Sequence, residues 1–241
     1  MLLSKAIHNI TKNRFVVPYT PFYRHYPFQG RPSIKSADDR GCVDFELGIF
    51  YNRVPKAANS TIVSNLVNTK LGHEIDSPQA KKIFRSPSTL SKYELEQFEG
   101  LFKFTVVRDP FSRTLSAFLD KIDRKYNQHH QKVSFKDFLK TLKEGKLHSN
   151  LHWAPQSSIF LIPFEKFQFV GRFENLNADL STIIRHIDNQ SAALHSFSRK
   201  GPPSTSANEK LRKFYDEECE ELVKQMYKQD FALLEYNDSI Q

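Results

Sequence analysis

Twice along this chain a short continuous apolar block is closed by a charged residue and a proline and followed by a run at helical spacing. Leu47 to Val54 (LGIFYNRV) is apolar and aromatic, which predicts a strand buried on both faces, and Pro55 ends it. In Ser60 to Leu71 (STIVSNLVNTKL) the residues Ile62, Val63, Leu66, Val67 and Leu71 share one helical face, with Gly72 as a natural stop. The pattern then repeats. Phe102 to Val107 (FKFTVV) predicts a second strand, Arg108-Asp109-Pro110 breaks it, and Phe111 to Arg124 places Leu115, Phe118, Leu119 and Ile122 on one side of a helix. Between the two units, residues 73–90 read as a loop. Ser91-x-x-Glu94 opens a short helix as a capping box, each side chain satisfying a free backbone N–H. Strand, loop and helix in this alternation predict an α/β fold with a parallel sheet flanked by helices, which places ligands at the carboxyl ends of its strands.

Farther on, SFKDFLKTLKEG predicts a helix, HWAPQSSIFL an irregular segment, FQFVGRFENL a strand and turn, Leu176 to Ile187 a helix, and SFSRKGPPSTS a loop. Glu209 to Gln229 predicts one long final helix, with Leu211, Phe214, Tyr215, Cys219, Leu222, Val223, Met226 and Tyr227 on its apolar side. Residues 1–40, rich in Pro, Tyr, Arg and His, predict an extended N-terminal arm whose aromatics pack on the core, and residues 41–241 a single domain.

Composition narrows the picture. A 241-residue chain that is 39% hydrophobic and 13% aromatic can bury a core of its own. No run approaches the ~18 apolar residues of a membrane span. The N-terminus lacks the apolar core of a signal peptide, so a soluble, cytoplasmic protein is expected. Cys42 and Cys219 stand in no CxxC pair and are expected as buried thiols. No His, Cys and carboxylate cluster has metal-ligand spacing, so no metal is expected. A net charge of +8 implies an anionic partner.

The candidate chemistry lies in RVPKAANST. A helix N-terminus presents unpaired N–H groups and partial positive charge. Ala57 and Ala58 let the backbone approach a tetrahedral anion, Asn59, Ser60 and Thr61 add side-chain donors, and Lys56 adds an ammonium. The loop is not a Walker A sequence, because no G-x-x-x-x-G-K-[ST] is present. At the second turn Arg108 stands at a strand end and Ser116 about two helical turns on. If the two strands are neighbours, these form a second anion pocket beside the first.

RVPKAANST and VVRDPFSRTLSAF resemble the two cofactor signatures of the sulfotransferases that use 3′-phosphoadenosine-5′-phosphosulfate (PAPS), especially the Golgi carbohydrate group. YNRVPK resembles the heparan sulfate 2-O branch. LSKYELEQF and FKFTVVRDPFSRTLSAF, followed by NLHWAPQ and FVGRFENL, resemble the chondroitin 4-O- and HNK-1-type branch. The resemblance runs over roughly residues 47–237 and implies a P-loop-kinase-like sheet and sulfuryl transfer from PAPS to a carbohydrate hydroxyl without metal. It implies that Arg53, Pro55, Lys56, Ala57, Ala58, Asn59, Ser60 and Thr61 hold the 5′-phosphosulfate and that Arg108 and Ser116 hold the 3′-phosphate. FSRKGPP is similar to an Arg-Lys-Gly loop that closes on the 3′-phosphate in cytosolic members, which brings in Arg199 and Lys200. Golgi members carry an N-terminal anchor that this sequence lacks, so a soluble, bacterial-type member is expected. Family loops often carry Gly, Thr or Cys where Ala58 and Asn59 stand here.

Sulfuryl transfer needs a base for the acceptor hydroxyl, and histidine suits neutral pH. His152, in NLHWAPQ beside the chain's only Trp, is the first candidate, the indole offering a platform for a sugar ring. His73 is the second. It lies between the two motifs, where the 2-O branch carries its base. Asp109 is the one obvious carboxylate near the site. A kinase-like phosphotransferase would need magnesium ligands and a true Walker loop, and a nucleic-acid-binding module would need a basic stripe interleaved with aromatics. The acceptor expected is a glycan or another hydroxyl compound, acidic ones included.

Overall fold

In the computed structural model, residues 15–124, 133–188 and 205–240 are described. The chain enters through short helical turns, among them α1 (Pro21–His25) and α2 (Ile34–Asp38). Residues 15–40 are therefore not the extended arm the prolines suggested. Pro at the first helical position lacks only an N–H that a helix start leaves unbonded anyway, so Pro21 opens α1 instead of preventing it. The aromatics do pack on the core: Phe22 is buried edge-on against Tyr23 and Phe98, and the Tyr23 hydroxyl donates to Asp38 Oδ1 at 3.0 Å.

The sheet has four strands in the order β1 (Gly41–Asp44), β2 (Ile49–Asn52), β3 (Phe102–Val107) and β4 (Phe169–Arg172). β2, β3 and β4 are parallel as expected, whereas β1 runs antiparallel to β2 as one arm of a tight hairpin, so the sheet is mixed. Every residue of β1, β2 and β3 is buried, which explains continuous apolar runs in place of alternation.

Between β2 and β3 come α3 (Asn59–Leu71), α4 (Ser77–Ala80) and α5 (Lys92–Phe98). α3 stops where Gly72 takes a left-handed φ of 71°, its N–H returning to Asn68 O at 2.8 Å. α5 carries the expected capping box, and Glu94 also pairs with Arg85. After β3, α6 (Pro110–Phe118) runs into a π-helical turn, Leu119–Asp123, and α7 (Phe135–Thr141) follows. β4 leads to α8 (Leu176–Ile187), and the chain ends in α9 (Leu211–Phe214), α10 (Glu217–Met226) and α11 (Lys228–Leu234). The long final helix is thus three shorter ones. Tyr215 takes an extended ψ of 120°, and Asp216 restarts the helix by accepting from Cys219 N, so the apolar stripe survives while the axis breaks.

One sheet face, with Tyr51, Phe104 and Val106, packs on α3 and α8 through Ile62, Leu66, Leu180 and Ile183. The other face, with Phe50 and Val107, packs on the N-terminal turns and α5. A third cluster joins α6, α7, α10 and α11. Cys42 and Cys219 are free and buried. Among the described residues no helix is long and apolar enough to cross a membrane.

Candidate active site

β2 and β3 are parallel neighbours, with Asn52 opposite Thr105, so the loops after them emerge side by side at the sheet's carboxyl edge. In the first loop Lys56 and Ala58 hold left-handed φ values of 70° and 55°, although neither is glycine. Each such residue costs on the order of 1–2 kcal/mol and persists only where its surroundings hold it. Two buried arginines hold it. Arg113 Nε donates to Pro55 O at 3.0 Å and Arg108 Nη1 to Lys56 O at 3.2 Å. With the carbonyls drawn back, the first turn of α3 is free to offer its N–H groups to an anion.

The Lys56 side chain is 13% exposed and its ammonium lies 3.2 Å from Asp120 Oδ2. Burial pulls its pKa down, and Asp120 works against that. Asp120 also meets Lys121 at 3.2 Å and Arg124 at 3.7 Å, so three cations share one carboxylate. Asp109, the carboxylate expected nearest the site, instead caps α6 by accepting from Ser112 N at 2.8 Å. Asp120 is not legible from spacing, because a π-helical turn sets which residues of LDKID face the loop.

The remaining loop residues divide. Ala57 is fully buried, Ser60 Oγ accepts from Lys81 Nζ at 2.9 Å, and Asn59 Oδ1 is buried without a hydrogen-bond partner among the described residues. Arg53 departs from expectation. It spends Nε on Arg40 O at 3.2 Å and Nη2 on Asp39 O, bracing β1 instead of opening onto the loop.

Arg108 is 4% exposed, lies over the Phe173 ring at 3.9 Å, and donates through Nε to Ser112 Oγ at 3.1 Å and through Nη2 to Asn208 Oδ1. Burial brings its pKa down to about 10, with Glu174 and Asp109 opposing, and no direct ion pair with Asp109 forms. Ser116 Oγ is 3.1 Å from Thr205 Oγ1. Arg108 and Ser116 therefore meet one short stretch, 205–208, whose Thr205 and Asn208 went unnoticed in the polar run STSAN. Arg199 and Lys200 lie outside the described residues.

The loop bearing His152 is locked onto the same edge. Arg113 donates to Ala154 O at 2.8 Å and Leu151 O at 2.9 Å. Gln156 exchanges two hydrogen bonds with the Arg108 backbone, and buried Asp230 accepts from Gln156 N at 2.6 Å. Asn150 Oδ1 accepts from His152 N at 3.0 Å and lies 2.8 Å from His152 Nδ1. An amide oxygen can only accept, so this contact places the proton on Nδ1 and leaves the Nε2 lone pair free to accept one. Burial, then the positive fields of Lys121, Arg40, Lys56 and Arg113, hold the imidazole pKa down to about 3, so it is neutral at physiological pH.

Trp153, half-buried, packs edge-on against Phe138 and donates through Nε1 to Lys146 O at 3.0 Å. His73 is not brought to the site. α3 is 13 residues long, about 20 Å, and His73 lies exposed beyond its far end with Nδ1 at 3.0 Å from Leu71 O.

With this geometry in place, comparison with known proteins is decisive at one level. A model described as the sulfotransferase family matches residues 41–237. The chain belongs to the sulfotransferase family. The chain is 27% identical over 187 residues to carbohydrate sulfotransferase 10 of Danio rerio, covering 62% of the chain and 51% of that protein. It is 30% identical over 117 residues to carbohydrate sulfotransferase 14 of Mus musculus, covering 40% of the chain and 30% of the relative. It is 27% identical over 158 residues to carbohydrate sulfotransferase 14 of Homo sapiens, covering 57% and 40%. The chain thus spans about half or less of each of these relatives. No solved structure matches the chain.

Proposed function

We propose that this sulfotransferase moves a sulfuryl group from PAPS to a hydroxyl of a carbohydrate. The observation that carries the reading is the pairing of two anion seats on adjacent parallel strands: the strained loop with Lys56, and Arg108 with Ser116, the two joined through Lys56 O. The donor set fits the nucleotide. It offers backbone N–H groups and an ammonium at one end, and a guanidinium and hydroxyl at the other, all suited to tetrahedral oxyanions. The names of the relatives favour a carbohydrate acceptor.

PAPS supplies an activated sulfuryl group on a phosphate leaving group. The start of α3 and Lys56 hold the phosphosulfate end, and Arg108 and Ser116, with Thr205 and Asn208 beside them, hold the 3′-phosphate. His152 Nε2 takes the proton of the acceptor hydroxyl. Lys56 meets the negative charge that grows on the departing phosphate oxygen, where a preplaced cation matters most. Asp120 keeps that ammonium in place.

Labelled PAPS presented with a panel of glycans tests the transfer, and thermal shift with 3′,5′-adenosine bisphosphate tests the nucleotide site. Transfer to at least one glycan and stabilisation by the bisphosphate are expected. Stabilisation by ATP with Mg²⁺ but not by the bisphosphate would overturn the reading in favour of a phosphotransferase.

A further inference from the structure

Lys81 reaches the first anion seat from a separate segment. α4 ends just before it, and the turn that carries it is anchored on both sides: Ala80 is fully buried and Phe84 nearly so, in one cluster with Ile62, Val63 and Leu66 of α3. Backbone hydrogen bonds from Ala80 N to Asp76 O and from Lys82 N to Gln79 O, both 2.9 Å, set the chain around it. The half-buried side chain then crosses to the start of α3, where Nζ donates to Ser60 Oγ at 2.9 Å. Its partner there is a neutral hydroxyl, and among the described residues Lys81 forms no ion pair.

That contact decides what the Ser60 hydroxyl can do. An ammonium only donates, and a serine hydroxyl has one proton and two lone pairs. With one lone pair held by Lys81, the Ser60 proton has to turn away from it. Among the described residues Ser60 Oγ donates to no group. The carbonyl four residues back, which a helical serine often uses, is Lys56 O, and that oxygen already accepts from Arg108 Nη1. Ser60 is the second residue of α3, so its hydroxyl stands among the unpaired N–H groups of the helix start. A hydroxyl that accepts from a cation is polarised and donates more strongly. Lys81 also differs from Lys56. The Lys56 ammonium is met by Asp120, whereas no carboxylate among the described residues pairs with Lys81.

We propose that Lys81 is a positioning residue of the donor site, which fixes the Ser60 hydroxyl as a hydrogen-bond donor to the phosphate of the phosphosulfate. The proposal rests on the sulfotransferase reading above and deepens it. The phosphate carries charge before transfer begins, so this contact acts on donor binding, while Lys56 acts on the oxygen that departs. A lysine that merely pegged the turn after α4 to α3 would make the same hydrogen bond and leave the affinity of a folded protein for the phosphosulfate end untouched.

The test is a double-substitution cycle read by calorimetry on the full chain. Three probes are used: adenosine 5′-phosphosulfate, which carries the phosphosulfate end alone, 3′,5′-adenosine bisphosphate, and adenosine 3′-monophosphate, which carries the other end alone. Lys81→Met, which keeps an apolar stem, should weaken the first two about 10-fold and the third by less than about threefold. Ser60→Ala should match it, and the double variant should bind no more weakly than either single one, because Lys81 acts through the hydroxyl. Lys81→Arg, which still donates to Oγ, should recover most of the loss. In PAPS turnover, Lys81→Met should raise the donor KM about 10-fold with kcat within about threefold. Unchanged affinities, or equal losses for all three probes, would reduce Lys81 to a structural peg, and losses that multiply in the double variant would place the ammonium on the anion directly; each overturns the proposal. A wild type that binds none of the three nucleotides would overturn the sulfotransferase reading instead. The same cycle is then read with inorganic pyrophosphate: a non-additive loss at Lys81 and Ser60 keeps the pair as an anion-positioning device, and no binding or no loss removes it as well.

Discussion

Acidification should destabilise this fold through His152 in particular. Burial and the neighbouring cations hold its imidazole pKa down to about 3, against about 6.5 in an unfolded chain. The unfolded state therefore binds the proton first. Above pH 6.5 both states are neutral and the group contributes nothing to the pH dependence. As pH falls below 6.5 the unfolded chain gains a proton that the folded one refuses, and stability declines down to pH 3. At pH 5 the gap is about 1.5 pH units below the unfolded value, and at about 1.36 kcal/mol per unit the loss approaches 2 kcal/mol. Urea unfolding at pH 7.5 and pH 5, compared between the wild type and His152→Gln, isolates this from other titrating groups. The drop between the two pH values should be smaller by about 2 kcal/mol in the variant. Saturating 3′,5′-adenosine bisphosphate should shrink the effect in the wild type, because anions near Lys56 favour imidazolium. Equal drops in the two proteins would mean that His152 is not held neutral by its surroundings.

The other predictions concern the loops. Lys56→Ala should lower turnover on the order of 10²–10³-fold with a much smaller loss of bisphosphate affinity, read from steady-state kinetics and calorimetry. Arg108→Ala should weaken 3′,5′-adenosine bisphosphate by about 1.5–3 kcal/mol and adenosine 5′-phosphosulfate far less, with Ser116→Ala following the same pattern more weakly; equal losses for both ligands would detach this turn from the 3′-phosphate. Arg113→Ala should cost about 3 kcal/mol or more in urea unfolding, since Pro55 O, Leu151 O and Ala154 O all lose their donor, and Arg113→Lys should fail to rescue it because an ammonium lacks the planar fork. Transfer activity should survive EDTA, and a loss restored by Mg²⁺ would point to phosphoryl chemistry instead.

The parallel strands and the helices α3, α5 and α8 were legible because local pattern and tertiary role agree there. Buried strands need unbroken apolar runs, and Gly72 and the Ser91–Glu94 box mark helix ends by backbone chemistry alone. β1 was missed because four residues, GCVD, carry too little pattern, and its hairpin partner supplies the order. The break at Tyr215 escaped notice because it leaves the apolar spacing on either side intact. At the site, the residues flanking the strand ends could be read from position, since the carboxyl edge of a parallel sheet is where loops converge. Asp120, Arg113 and Asn208 could not. Their roles depend on which distant segment each one meets, a non-local fact that one-dimensional spacing does not contain. His73 was attractive for the opposite reason: it is near the first motif in sequence but a helix length away in space.

Arg108 grips Lys56 O, a carbonyl of the other anion seat. If the two seats hold the two ends of the nucleotide as proposed, those ends are not read independently. A 3′-phosphate that draws the guanidinium toward itself pulls on the peptide that sets the left-handed turn at Lys56, and a phosphosulfate that stiffens that turn fixes the partner of Arg108 in return. By reciprocity each end must change the affinity for the other by the same factor. Substitutions at the two seats, Ser116→Ala with Ala58→Gly for example, should be non-additive for the intact nucleotide, and fragments carrying one phosphate each should bind with a combined strength different from that of the whole.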